Sequence, residues 1–251
     1  MVSSLVYQSR KIAVVIPAFN EADAIGCVVA ALKKLKNAQQ KPLIDQLVVC
    51  DNGSDDGTGD IAVDAGAEVI YEPSPGYGSA CLAGLAALDA TDVIVFVDGD
   101  HSVDYADIPT LINAVINGAD LAIGARSPQK NEPGALTPQQ IFGNKLACWL
   151  IRLFWQVKVA DLGPLRAISS QALSTLQMRD RTYGWTVEMQ VKAIQNGMRV
   201  EEYPTGSRKR IGQSKISGTV KGTVGAAFGI IGMILRLRLR ERRQQKVHQN
   251  G

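Results

Sequence analysis

Histidine is almost absent from this sequence. His101 and His248 are the only two, so a zinc site built on imidazoles is all but excluded. Cysteine is scarce as well: Cys27, Cys50, Cys81 and Cys148 stand far apart beside apolar neighbours, with no C-x-x-C pair or zinc spacing. They read as reduced core residues of a cytosolic protein, not as a disulfide framework. Residues 1–11, MVSSLVYQSRK, lack the apolar centre of a signal peptide. No uncharged apolar run reaches the ~20 residues that a membrane-spanning helix needs. Internal repeats and low-complexity linkers are missing too, which favours one domain with a C-terminal appendage.

What is present fits an ordinary globular α/β protein: 251 residues, 46% hydrophobic and 20% charged, enough to bury a proper core. The net charge of +3 conceals an asymmetry. Residues 236–251 hold five arginines and Lys246 against the single acid Glu241, so the remaining body is slightly acidic. Nucleic acid is a poor partner for such a chain, because the basic residues are not interleaved with aromatics and the body carries no excess positive charge.

Short apolar or β-branched runs at 12–16, 47–50, 68–71, 93–97 and 121–124 read as strands buried on both faces. Helical patterns at 24–35, 58–65, 79–88 and 105–116 separate them. This alternation predicts a mostly parallel central sheet flanked by helices, joined by right-handed crossovers. Beyond about residue 125 the pattern loosens into a proline-containing loop, a helix at 139–155, a strand at 157–161, a helix at 186–196 and a strand at 199–203.

In an open α/β sheet, ligands bind beyond the carboxyl ends of the strands. Three polar clusters fall there: Pro17-Ala18-Phe19-Asn20-Glu21, the run DNGSDDGT at 51–58, and Asp98-Gly99-Asp100. Standing alone, Asp98-Gly99-Asp100 reads as a solvated Asp-Gly turn. With three polar strand ends on one sheet edge it reads instead as a ligand site, its two carboxylates being hard oxygen ligands for Mg2+ or Mn2+. A metal there would bridge two phosphates and neutralise charge on a departing diphosphate. The 51–58 run fails as a calcium loop, with Gly53 at position 3 and Asp56 where glycine is required, and it lacks the G-K-[ST] ending of a phosphate loop. Asp51 is its candidate ligand residue, while Asp56 or Thr58 can cap the next helix. The turn at 76–81 places cysteine where a dinucleotide fingerprint has its third glycine, so it reads as a tight turn bringing backbone close to a ligand or a neighbour, with Gly78 on the donor side.

Together VVIPAFNE (14–21), DNGSDDGT (51–58), GYGSA (76–80) and DGD (98–100) occur in the order and spacing of the family 2 glycosyltransferases, which have the GT-A nucleotide-diphospho-sugar transferase fold. The likeness continues through GAR (124–126), DLGPLRAI (161–168), GWTVEMQ (184–190) and RIGQSKISGT (210–219), covering roughly 11–220. Within the family, the chain is similar to dolichyl-phosphate mannose synthase and bacterial polyprenyl-phosphate glycosyltransferases. The resemblance implies a domain at 11–220 and a C-terminal apolar helix with a basic tail at 221–251. It implies that Pro17, Ala18, Asn20, Glu21 and Asp51 line the nucleoside pocket, that Asp98 and Asp100 hold metal and diphosphate, and that Arg126, Arg210, Ser214 and Lys215 face phosphate groups. The basic, acid-free loop at 207–215 also suits an anionic group on its own chemistry.

The expected reaction is transfer of a hexosyl group, with inversion, from a UDP- or GDP-sugar to a polyprenyl phosphate or other lipid-linked acceptor. A phosphate monoester is largely ionised near neutrality, its second pKa being about 6, and needs no strong base. A soluble hydroxyl acceptor would need Glu188 or Asp161 to deprotonate it. A sugar nucleotidyltransferase would show a G-x-G-x-R-like loop after the first strand, which Pro17-Ala18-Phe19 is not; a non-catalytic nucleotide-binding or membrane-recruiting protein is the remaining alternative.

Residues 222–235 are uncharged and lead directly into Arg236-Leu237-Arg238-Leu239-Arg240. As a helix they would be about 21 Å long, short of a hydrocarbon core of about 30 Å. Two readings stand: a core or homo-oligomer helix packed through its glycines, or a membrane-surface helix over 222–243 with arginines on anionic headgroups. The second is favoured, placing the protein in the cytoplasm, peripheral on the inner face of the membrane.

Overall fold

The computed structural model describes residues 10–212 and 220–249. The elements run β1 (Ile12–Ala18), α1 (Ala22–Lys33), β2 (Gln46–Asp51), α2 (Thr58–Asp64), β3 (Glu68–Tyr71), α3 (Tyr77–Ala86) and β4 (Val93–Phe96). A 3₁₀ turn (Tyr105–Asp107) leads into α4 (Ile108–Ile116), followed by β5 (Leu121–Arg126), α5 (Pro138–Trp155), β6 (Arg166–Ser169), α6 (Ser170–Leu176), α7 (Trp185–Gln195), β7 (Val200–Thr205) and α8 (Val220–Gln249).

Seven strands form one sheet in the order β3-β2-β1-β4-β6-β5-β7. All are parallel except β6, which runs antiparallel to both β4 and β5. The strand period of two divides the core. Val14 and Ile16 of β1 join α1 and α4 on one face, through Ile25, Val28, Leu32, Leu111 and Ile112. Val15 joins α3, α6 and α7 on the other, with Cys81, Leu176, Trp185 and Met189. At Gly84 of α3, a β-carbon would lie 2.6 Å from Val15 Cγ1, so the helix crosses β1 more closely than any larger residue permits. A third cluster joins Ala147, Cys148 and Ile151 of α5 to Val187 and Val191 of α7 and to Met233, Ile234 and Leu237 of α8.

Three elements depart from the expected pattern. Residues 157–161 form no strand. Both flanks of β5 are already taken by β6 and β7, and this segment meets β7 through the Glu202 carboxylate, which accepts from the Ala160 N–H at 3.0 Å. The four-residue β6 and the short α6 after it went unanticipated, because Arg166 interrupts the apolar run. The C-terminal helix does not end with the apolar stretch but continues through the arginines, running 30 residues in all. Arginine and leucine are both strong helix formers, and Arg238 pairs with Glu241 three residues on at 2.6 Å.

Candidate active site

The loops after β1 and β2 are stitched into one wall. Asn20 adopts a left-handed φ of 52°, with its N–H on Ser54 Oγ at 2.9 Å while its side-chain oxygen accepts from the Asp55 N–H at 2.9 Å. Thr58 Oγ1 accepts from the Glu21 N–H at 2.8 Å, and Asp56 Oδ2 from the Ala22 N–H at 3.1 Å. Asp56 and Thr58 therefore join two loops, a larger role than capping α2. Asp51 closes its own turn by accepting from the Ser54 N–H at 2.9 Å. Asn52 is a residue that the sequence reading missed. Its amide donates to Glu72 O and Ser74 O at 2.9 and 2.8 Å and accepts from the Gly76 N–H at 2.7 Å, which fastens the 72–76 loop to the wall. An amide directly after a strand end, with both a donor and an acceptor to use, was the available signal.

Asp98-Gly99-Asp100 sits against that wall: a β-carbon at Gly99 would lie 3.4 Å from Pro17 O and from Ala18 Cβ. Asp98 Oδ1 accepts from the Tyr77 hydroxyl at 2.9 Å. Burial, and next the charge of Asp100, push the Asp98 carboxyl up to about 6, against the pull of Tyr77, Arg210 and Arg126. The Tyr77 hydroxyl is pushed well above its usual range by burial and by the Asp98 charge, so it remains a donor. Arg210 bridges the two walls, with Nη2 2.7 Å from Glu21 Oε1 and Nη1 3.3 Å from Asp100 Oδ2. The strip carrying it lies beside 100–104, held by Arg208 N–H on Ser102 O at 2.8 Å and Ile211 N–H on Asp100 O at 3.0 Å. Glu21, Asp98, Asp100 and Arg210 thus converge from sequence positions far apart. Ser214 and Lys215 lie outside the described residues.

Among the described residues no cluster of three or more His, Cys, Asp or Glu forms. A cation held by Asp98 and Asp100 would complete its shell with water and with phosphate oxygens of a ligand, the usual manner of Mg2+. The donor set fits that ion: two hard carboxylates side by side, one of them destabilised by the other's charge.

Other assignments change in character. The backbone at Gly76 and Gly78 approaches a neighbour, the 180–182 loop. A β-carbon at Gly78 would stand 2.1 Å from Asp180 O, and the Gly78 N–H donates to Thr182 O at 3.2 Å. Glu188 supports the same loop. It is buried, and its carboxylate accepts from the N–H groups of Arg179 at 3.0 Å and Asp180 at 2.7 Å while pairing with Lys192 at 2.8 Å. Asp161, also buried, grips Arg126 in a fork of 2.8 Å bonds from Nε and Nη2, and accepts from the Arg126 backbone N–H at 2.9 Å. Both acids considered as bases are therefore already held by donors. Arg166 went unassigned in the sequence, yet it is fully buried in β6, donating to Gly163 O, Thr186 O and Gln190 Oε1 at 2.8, 2.7 and 3.2 Å. Burial lowers it to about 10, and it stays charged beneath the site at neutral pH.

An open α/β sheet with acidic and basic groups gathered at its strand ends is the arrangement of a ligand-binding α/β protein. The family description "Glycosyl transferase family 2" matches residues 13–174, and the chain belongs to that family. It is a glycosyltransferase. It is 34% identical to an uncharacterized glycosyltransferase of Mycobacterium tuberculosis over 85% of this chain and 93% of the relative. It is 30% identical to the dolichyl-phosphate hexose transferase of Haloferax volcanii, covering 93% of this chain and 98% of that one. Among solved structures, glucosyl-3-phosphoglycerate synthase of M. tuberculosis, in complex with Mn2+, UDP and phosphoglyceric acid, superposes with a TM-score of 0.75 at 21% identity, over 94% of this chain and 81% of that one. That likeness bears out the fold expected from the sequence.

Proposed function

We propose that the protein transfers a hexosyl group, with inversion, from a UDP- or GDP-sugar to a polyprenyl phosphate or another lipid-linked anion. The observation that carries this reading is the state of Asp161 and Glu188. Each carboxylate already accepts backbone N–H groups and pairs with a cation, so neither is poised to take a proton from a hydroxyl. A phosphate acceptor needs no such base, since its second pKa of about 6 leaves it largely ionised. The Haloferax relative named for a dolichyl-phosphate acceptor supports the same class. A soluble hydroxyl acceptor is the second reading, and it requires one of those acids to be released.

In this mechanism the acceptor oxygen attacks the anomeric carbon as the bond to the donor diphosphate breaks, and the nucleoside diphosphate leaves. Bound Mg2+ or Mn2+ would neutralise charge on the departing diphosphate. Pro17, Ala18, Asn20, Glu21 and Asp51 form the wall against which the nucleoside rests, and Asp98 and Asp100 are the residues that would hold the ion. Arg210, released from Glu21 and Asp100, and Arg126, held in orientation by Asp161, present positive charge to phosphate groups. Ser214 and Lys215 continue the Arg210 strip in sequence and are assigned to the same task.

Thermal unfolding in the presence of UDP- and GDP-sugars with Mn2+ tests this directly. A nucleotide at 100 times its Kd should stabilise the protein by about 2.7 kcal/mol, and the preferred donor should stand out. The Asp98→Asn, Asp100→Asn double variant should lose the metal-dependent part of that shift together with transfer to polyprenyl phosphate. Retained transfer in the double variant refutes the metal role. A thermal shift with a donor, but no hydrolysis or transfer by the wild type with any of them, favours a non-catalytic nucleotide-binding protein.

A further inference from the structure

The side of the molecule built by α5 and α8 turns large apolar groups to solvent. On α5, Phe142, Trp149 and Leu153 are 70%, 57% and 54% exposed; on α8, Phe228, Leu235 and Leu239 are 75%, 44% and 57% exposed. In each helix the second and third of these follow the first by seven and eleven residues, which sets all three within an arc of about 40° around the axis. The opposite faces of both helices, Ala147, Cys148 and Ile151 on α5 and Met233, Ile234 and Leu237 on α8, are buried in one cluster. The two exposed stripes therefore point away from the same core and form one surface. A groove of about 420 Å3 runs between them, lined by Phe142, Gly143 and Leu146 of α5 and by Ile230 and Ile231 of α8. At the far end Trp155 Nε1 donates to Glu241 at 3.0 Å and the Arg238 guanidinium lies over the Trp155 ring, fixing the pair side by side.

The charges around this surface have one sign. Residues 133–160 contain no acid, and within them Lys145, Arg152 and Lys158 are exposed. On α8, Arg236, Arg240, Arg242 and Arg243 are exposed, while the helix's single acid, Glu241, is engaged by Trp155 and Arg238. A second copy of the same face would bring cations against cations. An anionic surface is the complementary partner, and aromatic and aliphatic groups flanked by arginines are what an interfacial helix offers to a lipid bilayer. No described helix is long and apolar enough to cross a membrane.

We propose that α5 and α8 together form a docking surface for an anionic lipid bilayer, with the apolar stripes inserted among the acyl chains and the cations on the headgroups. Gly229 of α8 takes no part in it: a β-carbon there would meet Tyr183 Cβ at 3.2 Å, so that side faces the protein. The surface connects to the site through α5, where Asn144 Oδ1 accepts from the Leu162 N–H at 2.9 Å, next to the Asp161 that holds Arg126. This purpose rests on the lipid-phosphate acceptor proposed above, whereas the geometry of the surface does not.

The test is co-sedimentation of the full chain with vesicles of phosphatidylcholine alone or mixed in equal parts with phosphatidylglycerol, with UDP and Mn2+ stabilisation measured on the same preparations. Wild-type protein should pellet with the mixed vesicles and not with phosphatidylcholine alone, and added salt should weaken the binding. The R236Q, R242Q, R243Q variant should lose roughly a hundredfold in partitioning, at about fivefold for each exposed arginine. The F142D, L235D variant should lose binding with unchanged thermal stability, because both side chains are exposed. Failure of the wild type to bind mixed vesicles overturns the docking surface, as does undiminished binding by both variants. A dimer abolished by F142D, L235D in a protein that ignores vesicles also overturns it and makes the face a contact between copies. If nucleotide stabilisation persists while vesicle binding is absent, docking alone fails; if nucleotide stabilisation is absent, the donor reading fails on its own account.

Discussion

Replacing Glu188 separates a supporting carboxylate from a catalytic one. Its side chain is 3% exposed and that of its partner Lys192 is 14% exposed, so the pair lies where breaking one member leaves an uncompensated charge. Glu188→Ala removes the ion pair and strands the N–H groups of Arg179 and Asp180 at once, for a cost of about 3–5 kcal/mol. In a protein of this length each kcal/mol lowers Tm by about 2–4 °C, giving a fall of roughly 6–20 °C. Glu188→Gln keeps a side-chain oxygen for one of those N–H groups, and Lys192 keeps its bonds to Leu176 O and Gln177 O at 2.9 and 2.7 Å, so the loss should be about 1–3 kcal/mol. Urea unfolding followed by circular dichroism measures both changes, and transfer should be assayed well below each variant's Tm. The glutamine variant should retain most of its transfer activity. Wild-type stability in Glu188→Gln combined with a 10²–10⁴-fold fall in transfer would refute this reasoning and restore Glu188 as a base, since that is the range a general base contributes.

Gly78→Ala forces a β-carbon to 2.1 Å from the Asp180 carbonyl, a backbone atom that cannot swing aside, and should destabilise by about 1–3 kcal/mol or more; Gly143→Ala, with open space around it inside α5, should instead gain about 0.5–1 kcal/mol in the same urea titration. Asp161→Asn breaks the mostly buried fork to Arg126 and should cost about 3 kcal/mol by that measurement; unchanged stability would refute the structural weight given to the fork.

The first half of the fold was legible because each element carries its own period. β1 to β5 appear within a few residues of their expected places, since runs buried on both faces and amphipathic helices leave a local trace. β6 left none: four residues with a buried arginine at the start look polar, and much of what stabilises Arg166 comes from Thr186 and Gln190, 20 and 24 positions on, which no local window reveals. The site divides similarly. The strand-end positions of Asp51, Asp98 and Asp100 could be named from sequence, as could the basic character of the 207–212 strip. Whether a given acid is free could not be named, because Arg126 lies 35 positions from Asp161. Tyr77 shows the same limit. Between two glycines it looks like turn material, and only the fold brings its hydroxyl to Asp98.

The antiparallel strand explains why the site draws on segments that precede as well as follow a strand. Parallel strands deliver their trailing residues to one edge: Asn20 and Glu21 after β1, Asp51 at the end of β2, Asp98 and Asp100 after β4, Arg126 at the end of β5, and Arg210 after β7. β6 is reversed, with Arg166 opposite Phe96 and Ile123, so the residues leading into it arrive at that same edge. This puts Asp161 beside Arg126 without any crossover, and the Gly163 backbone so near β5 that a β-carbon there would stand 1.9 Å from Gly124 O. Glu188 has no such route. It lies one turn inside α7, and it reaches the centre only by way of the 179–182 loop that it holds against Gly76 and Gly78, which open the helix carrying Tyr77. The topology therefore separates the two acids: Asp161 orients the Arg126 guanidinium at the strand-end edge, and Glu188 fixes the backbone behind the hydroxyl that steadies Asp98.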